Sequence, residues 1–206
     1  MPDPMTRDQV DAALAALEAG HARIATVLYS VDTHPGHVYL RDTAVQGRTQ
    51  ELWRDTAPRV DALWPSFAAL RDAIDQVAAL RAAHPRPDRT ELGELTRLLR
   101  EAWVEEDGGK VTVTALSDRL ELACRDVLAT LTTVAAAVSA TATGLADVAA
   151  AVAAAVVDAN ALAVPEDHPV AVRLSRLGRD LTEVRDEALA DPLGAGPDAQ
   201  RLRHLT

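Results

Sequence analysis

The sequence predicts an all-α protein: an elongated antiparallel bundle of about five helices with coiled-coil-like heptad packing and one long central helix over residues 114–163. Three observations carry this. From Val113 to Leu162, apolar or small residues from Leu120 and Cys124 through Val127, Leu131, Val134 and Val138 to Val152 and Leu162 recur with alternating gaps of four and three. That spacing places them on one seam of a helix. The same spacing recurs in shorter stretches on both sides of this run, separated by proline and glycine breaks. Alanine is abundant, which favours helix.

The first helix is expected to start after Thr6 and to run to about Asp32, on the seam Val10, Leu14, Leu17, His21, Ile24, Leu28 and Val31. His34-Pro35-Gly36 stops it, because proline disfavours a helical residue before it and glycine supplies the turn. His21 sits on the seam, and a histidine at a bundle edge is expected to bond one ring nitrogen to a neighbour.

A second helical region is expected from Tyr39 to Ala83. Val45, Thr49, Leu52 and Thr56 carry one register; Val60, Leu63, Phe67, Leu70, Ile74 and Val77 carry the next after a one-residue slip at Pro58. An internal proline removes a hydrogen bond and clashes with the preceding turn, at a cost of about 3 kcal/mol. With Pro65 seven residues on, a kink or short interruption is expected between Ala57 and Ser66.

The break His84-Pro85-Arg86-Pro87 precedes Asp88 and Glu91, which read as a capping box opening the third helix. Leu92, Leu95, Leu99 and Ala102 form its stripe, and it ends at the acidic turn over residues 105–109, read as an exposed loop. Lys110 to Thr114 alternates valine and threonine and reads as an extended lead-in to the long fourth helix. Pro165 ends that helix, and Asp167 or His168 caps the fifth, with Pro169 in its first turn. The fifth carries the seam Val170, Leu174, Leu177, Leu181, Val184 and Ala188. Residues 1–190 are expected to form one helical domain, and 191–206, with Pro192, Gly194, Gly196 and Pro197, a flexible tail.

The short connectors imply antiparallel neighbours, so the fifth helix should fold back on the fourth. That register predicts loose pairing of Asp158 with Arg173 or Arg176, and of Asp147 with Arg185. After Asp126 those two aspartates are the only charges before Pro165, so the fourth helix should be enclosed on several sides.

The net charge of -10 argues against a nonspecific grip on nucleic acid or anionic lipid. The uncharged run Val127–Ala146 reaches the length of a membrane span, but five threonines, Ser139 and Gly144 weigh against one. The opening residues carry acids and then an amphipathic pattern rather than a signal peptide, so a cytoplasmic location is expected. The single Cys124 lies on the long seam and reads as a small core hydrophobe.

No cofactor and no metal site is expected. His34 and His37 flank a turn without further ligands, Asp107-Gly108-Gly109-Lys110 lacks the spacing of a phosphate loop, and Glu105 with Glu106 reads as a solvated pair. The stretch Thr90–Leu122 resembles the start of a helix-turn-helix, but Arg119 and Arg125 stand among Asp118, Glu121 and Asp126. The expected function is therefore non-enzymatic: a bundle acting through protein contacts, as a homodimer or as scaffold or accessory subunit of an assembly. Trp53, Trp64 and Phe67 are the candidate partner contacts, since buried aromatic anchors dominate interface energetics. Two other classes remain open, a secreted or membrane-apposed helical effector and an acidic helix-turn-helix-like DNA-binding regulator.

Overall fold

The computed structural model describes residues 3–106 and 108–194. In chain order they form α1 (Arg7–Asp32), α2 (Pro35–Asp42), α3 (Gly47–Ala83), α4 (Arg89–Arg100), β1 (Val104–Glu106), β2 (Gly109–Val111), α5 (Val113–Ala161) and α6 (Pro169–Ala190). The fold is all-α apart from one small hairpin, and α5 is the long central helix, about 74 Å at 1.5 Å per residue. By contacts the chain gathers into two compact units, 1–34 with 56–129, and 35–55 with 130–206, and both α3 and α5 contribute to each.

The first unit holds α1, the larger part of α3, α4, the hairpin and the start of α5. Thr6 and Gln9 form a capping box at the start of α1, so the expected boundary after Thr6 stands. Its core joins Val10, Ile24 and Leu28 of α1, Leu70, Ile74 and Val77 of α3, Leu95 of α4, and Leu116, Leu120 and Cys124 of α5. Gly20 of α1 comes close to α5: a Cβ there would stand 3.3 Å from Oγ of Ser117. At the edge of this core Arg81 clamps the Asp11 carboxylate with two hydrogen bonds of 2.6 and 3.0 Å and donates a third to the carbonyl of His84. The Arg81 hydrogen bonds hold the Asp11 carboxyl below its ordinary range.

The expected interruption at Pro58 and Pro65 does not occur, and α3 is continuous through both prolines. They stand seven residues apart, both exposed, and so are residues 54 and 61, whose carbonyls lose their helical donors. Water can satisfy those carbonyls, so neither proline has to break the helix. The expected second helix begins elsewhere: α2 resumes at Pro35, a favoured first helical position, and a turn over residues 43–46 separates it from α3.

The acidic loop is instead an antiparallel hairpin in which Val104 pairs with Val111, Glu105 with Lys110 and Glu106 with Gly109. Gly108 takes φ +75°, the left-handed conformation a two-residue hairpin turn requires. Asp88 and Glu91 cap α4 as expected.

The second unit holds α2, the first turns of α3, the rest of α5 and α6. Leu40, Thr49, Leu131, Val134, Thr141 and Leu145 are its buried residues of note. The connector from α5 to α6 closes with Val164 N–H donating to the carbonyl of Ala159 and Ala163 N–H to that of Asn160, with Ala163 at φ +53°. This is a Schellman stop with alanine where glycine is usual. His168 caps α6, its Nδ1 accepting from the N–H of Val170 at 3.2 Å, with Pro169 in the first turn.

Asp191–Gly194 do not belong to a loose tail. Asp191 Oδ1 accepts from Thr49 N–H (2.9 Å), Thr49 Oγ1 (2.8 Å) and Gly194 N–H (3.2 Å), and its Oδ2 accepts from Arg48 N–H (3.2 Å). The carboxylate thus caps the N-terminus of α3, where the free N–H groups and the helix dipole favour an anion. Burial pushes its pKa up, but the bonds from Thr49, Arg48 and Gly194 outweigh that and hold it below the ordinary range. Gly47, at φ +53°, and Gly194 make room for it, since a Cβ on either would fall 1.9 or 2.2 Å from Oδ2. Gln46 N–H also donates to the carbonyl of Ala190 (2.8 Å), and the Tyr39 hydroxyl to that of Leu189. The rest of the expected tail, 195–206, lies outside the described residues.

Candidate functional site on α5 and α6

The heptad seam of α5 has two fates. Leu116, Leu120, Cys124, Val127, Leu131 and Val134 are fully or almost fully buried, and Leu145 is still covered. From residue 146 to the end of the helix no residue is buried, and α6 contains no buried residue at all. The expectation that α5 is enclosed on several sides is therefore wrong for its last four turns. Low charge in a helix predicts only that a cover is favourable, and among the described residues α6 lies along this part of α5.

The cover is incomplete because α5 meets α6 through small side chains. Ala142, Ala146, Ala149 and Ala153 of α5 and Ser175, Gly178 and Thr182 of α6 line a groove of 660 Å³ between them. Residues 142–156 of α5 and 174–189 of α6 line this one groove, so α6 runs back along α5, as the short connector implies. The predicted cross-helix pairs do not form. Arg176 pairs with Asp180 (3.7 Å) and Arg185 with Asp186 (3.1 Å), both within α6. Neighbours in one helix meet without further ordering, whereas Asp147 and Asp158 lie on the side of α5 opposite the alanines that face α6.

The result is a surface rich in exposed apolar side chains. Leu162 is 78% exposed and Val157 64%, and Val170, Val172, Leu177 and Val184 are each about half exposed. Val170, Leu177 and Val184 repeat at seven along one flank of α6, and Val148 and Ala155 of α5 repeat at seven with Leu162 in the turn just past its end. For two antiparallel helices packed on these seams, both flanks lie on the same side of the hairpin. Val157 and Val172 point to the opposite side, so the flank of Val170, Leu177 and Val184 with Val148, Ala155 and Leu162 is one exposed apolar face, and such a face marks an interaction site.

The sequence-predicted contacts sit elsewhere and fall into two groups. In the first unit Trp64, 47% exposed, meets Phe67 edge to face at 5.8 Å, and its indole N–H donates to Asp32 at 3.2 Å. Phe67 in turn stacks on His21, with ring centroids 4.1 Å apart. The expected hydrogen bond at His21 is absent: its Nε2 is buried with no partner, and burial, then the nearby Arg71 charge, push its pKa down. In the second unit Trp53 is half-buried against His37, centroids 5.9 Å apart. Trp64 and Phe67 are thus brought together, and Trp53 belongs to a separate cluster.

The other candidates resolve as follows. Cys124 is fully buried, and burial first, then the Glu121 charge, raise its thiol pKa to about 11. Among the described residues no group of three or more His, Cys, Asp or Glu is placed to hold a metal ion. The α4–α5 connection is the β-hairpin rather than the three- to four-residue turn of a helix-turn-helix. Arg119 is engaged by Glu106 (3.1 Å), and Arg125 by Glu121. Arg89, Arg97 and Arg100 line a groove on α4 together with Asp3, Glu94 and Glu101, so its charge is mixed.

No family model matches the chain, and neither a curated protein nor a solved structure does.

Proposed function

We propose that this is a non-enzymatic cytoplasmic protein that acts through protein contacts, as a scaffold or accessory subunit, and that the apolar face of α5 and α6 is where it makes them. One observation carries the reading: two antiparallel helices with heptad seams on which no position of α5 past residue 145 and none of α6 is buried. A two-helix hairpin cannot bury its seams alone, and stable bundles use three or four helices. Trp64 and Phe67 form a smaller, second surface already occupied by His21 and Asp32.

The test is isolation of the tagged full chain from its own cells. Leu177→Asp should lose the proteins that the wild type retains, an untagged copy of the chain included, while Trp64→Ala should keep them. An unchanged set with Leu177→Asp refutes the reading.

A membrane-apposed protein is the second reading. In its favour, α5 is long and apolar enough to cross a membrane by length and composition, and only 17% of its most apolar stretch is buried. Against it stand Asp147 within that helix and eight charged residues on α6, which lies along it. Flotation with neutral and anionic vesicles separates the two: the protein should stay with the soluble fraction.

A further inference from the structure

The charges of α6 run against the helix that carries them. Its first half holds Arg173, Arg176 and Arg179 with no acid, and its second half holds Asp180, Glu183, Asp186 and Glu187 with Arg185 alone. Neither the first turn is acidic nor the last turn basic. Basic residues near a helix N-terminus and acidic ones near its C-terminus both oppose the macrodipole, so this order weakens α6 as an isolated helix. It becomes favourable beside a helix of the same sequence running the other way, where each basic half meets an acidic half.

Resting on the contact reading above, we propose that the occupant of this face is a second copy of the same chain. The two copies dock across a two-fold axis that passes beside Leu177 and Ala155, with α6 antiparallel to its twin and α5 to its twin. The two hairpins then form a four-helix bundle.

The spacing closes on itself at that axis. On α6 the flank Val170, Leu177, Val184 is symmetric about Leu177, so Val170 meets Val184 of the twin and Leu177 meets its own counterpart. Along α5 and the turn that follows it the series Val148, Ala155, Leu162 is symmetric about Ala155, so the widely exposed Leu162 covers the half-buried Val148 of the twin. With the short connector from Ala161 to Pro169 and residues 142–156 and 174–189 lining one groove, antiparallel pairing puts Ala155 and Leu177 at about one level of the hairpin. One axis therefore serves both helices, as an isologous interface requires.

The same axis puts Arg173 level with Asp180 of the twin, twice by symmetry. Among the described residues Arg173 has no ion pair, and Asp180 has only the 3.7 Å contact to Arg176. Asp147 and Asp158 lie about 60–80° around α5 from the flank, at the solvent edge, so no carboxylate is buried. The 22 residues of α6 span about 33 Å, and a two-helix face of that length buries on the order of 1,000–1,300 Å² in total, the threshold of a stable interface.

Light scattering on the full chain at tens of micromolar tests this, with every variant at a solvent-exposed position so that folding is kept and checked by circular dichroism. The wild type should have twice the 21.9 kDa mass of one chain. Leu177→Asp should weaken the dimer about 30-fold or more. Arg173→Asp and Asp180→Arg should each weaken it, and the double exchange should restore it, because the pair re-forms with signs reversed. Under oxidation Leu177→Cys should cross-link to itself, and Val157→Cys, on the other side of α5, should not. A monomer that still loses a cellular partner on Leu177→Asp overturns the second-copy assignment and leaves the contact reading standing. A monomer that loses none overturns both. Cross-linking through residue 157 in preference to 177 overturns the stated geometry.

Discussion

The two halves of α5 carry one sequence pattern and meet opposite fates. Around Leu120, Cys124 and Leu131 the seam is sealed by α-helical neighbours; around Val148, Val152 and Ala155 the same four-and-three spacing stands half open. The difference is not in apolar content, which rises along the helix. It is in the number of helices the chain supplies at each end: α1, α3 and α4 share the first unit with α5, while past residue 146 the partner along it is α6. Periodicity specifies a face, and whether that face is a core or an interface depends on what remains in the chain to cover it.

The largest expected contrast follows directly. Leu131→Ala, at a fully buried position, should cost about 2–5 kcal/mol in urea unfolding through lost burial and the cavity left behind. Val157→Ala, on the same helix, should change stability by less than about 0.5 kcal/mol. Equal costs would erase the distinction between the halves.

Next comes the anchor that ties the end of α6 to the start of α3. Asp191→Ala removes a four-donor cap and should cost about 1–2 kcal/mol at neutral pH. Because the folded-state pKa of Asp191 is depressed, its contribution is present above the unfolded carboxylate pKa and is lost as pH falls through the folded value. The gap between wild type and variant should therefore close in acid, which unfolding curves across that range will check. A smaller effect of opposite sign is expected at the connector. Ala163→Gly relieves a left-handed alanine and should stabilise by about 0.5–1 kcal/mol. The smallest belongs to Cys124: a fully buried thiol with its pKa raised to about 11 should not react with a thiol reagent at pH 8 until the protein unfolds.

Helix boundaries were legible wherever capping chemistry was local. Thr6 with Gln9, Asp88 with Glu91, and His168 before Pro169 each announce a helix start from the residues that make the cap. The hairpin at β1 and β2 has a sequence signal in the dipeptide Asp-Gly between the valines at 104 and 111, a composition that favours a two-residue turn. The cap made by Asp191 was not legible, since its donors stand some 140 residues away in sequence and the segment Asp-Pro-Leu-Gly reads locally as a helix stop. The prolines of α3 misled for a related reason. Their effect depends on which way residues 54 and 61 face, and that is set by the packing of Val60 and Leu63 on the opposite side.

The candidate site followed the same division. Trp53, Trp64 and Phe67 stand out in the sequence by rarity, yet two of them are engaged with His21 and Asp32 and the third with His37. The open face on α5 and α6 is made of common residues, valine, alanine and leucine. Its signal was the charge order along α6, basic then acidic, which has a meaning only once a partner of the same sequence is imagined beside it.

Amide hydrogen exchange along α5, followed from tens of micromolar down to nanomolar protein, tests the central claim most directly. Protection over residues 116–134 should be independent of concentration, while protection over 146–161 should fall on dilution and fall at all concentrations in Leu177→Asp. Equal protection of both segments at every concentration, unaltered by Leu177→Asp, would contradict the account.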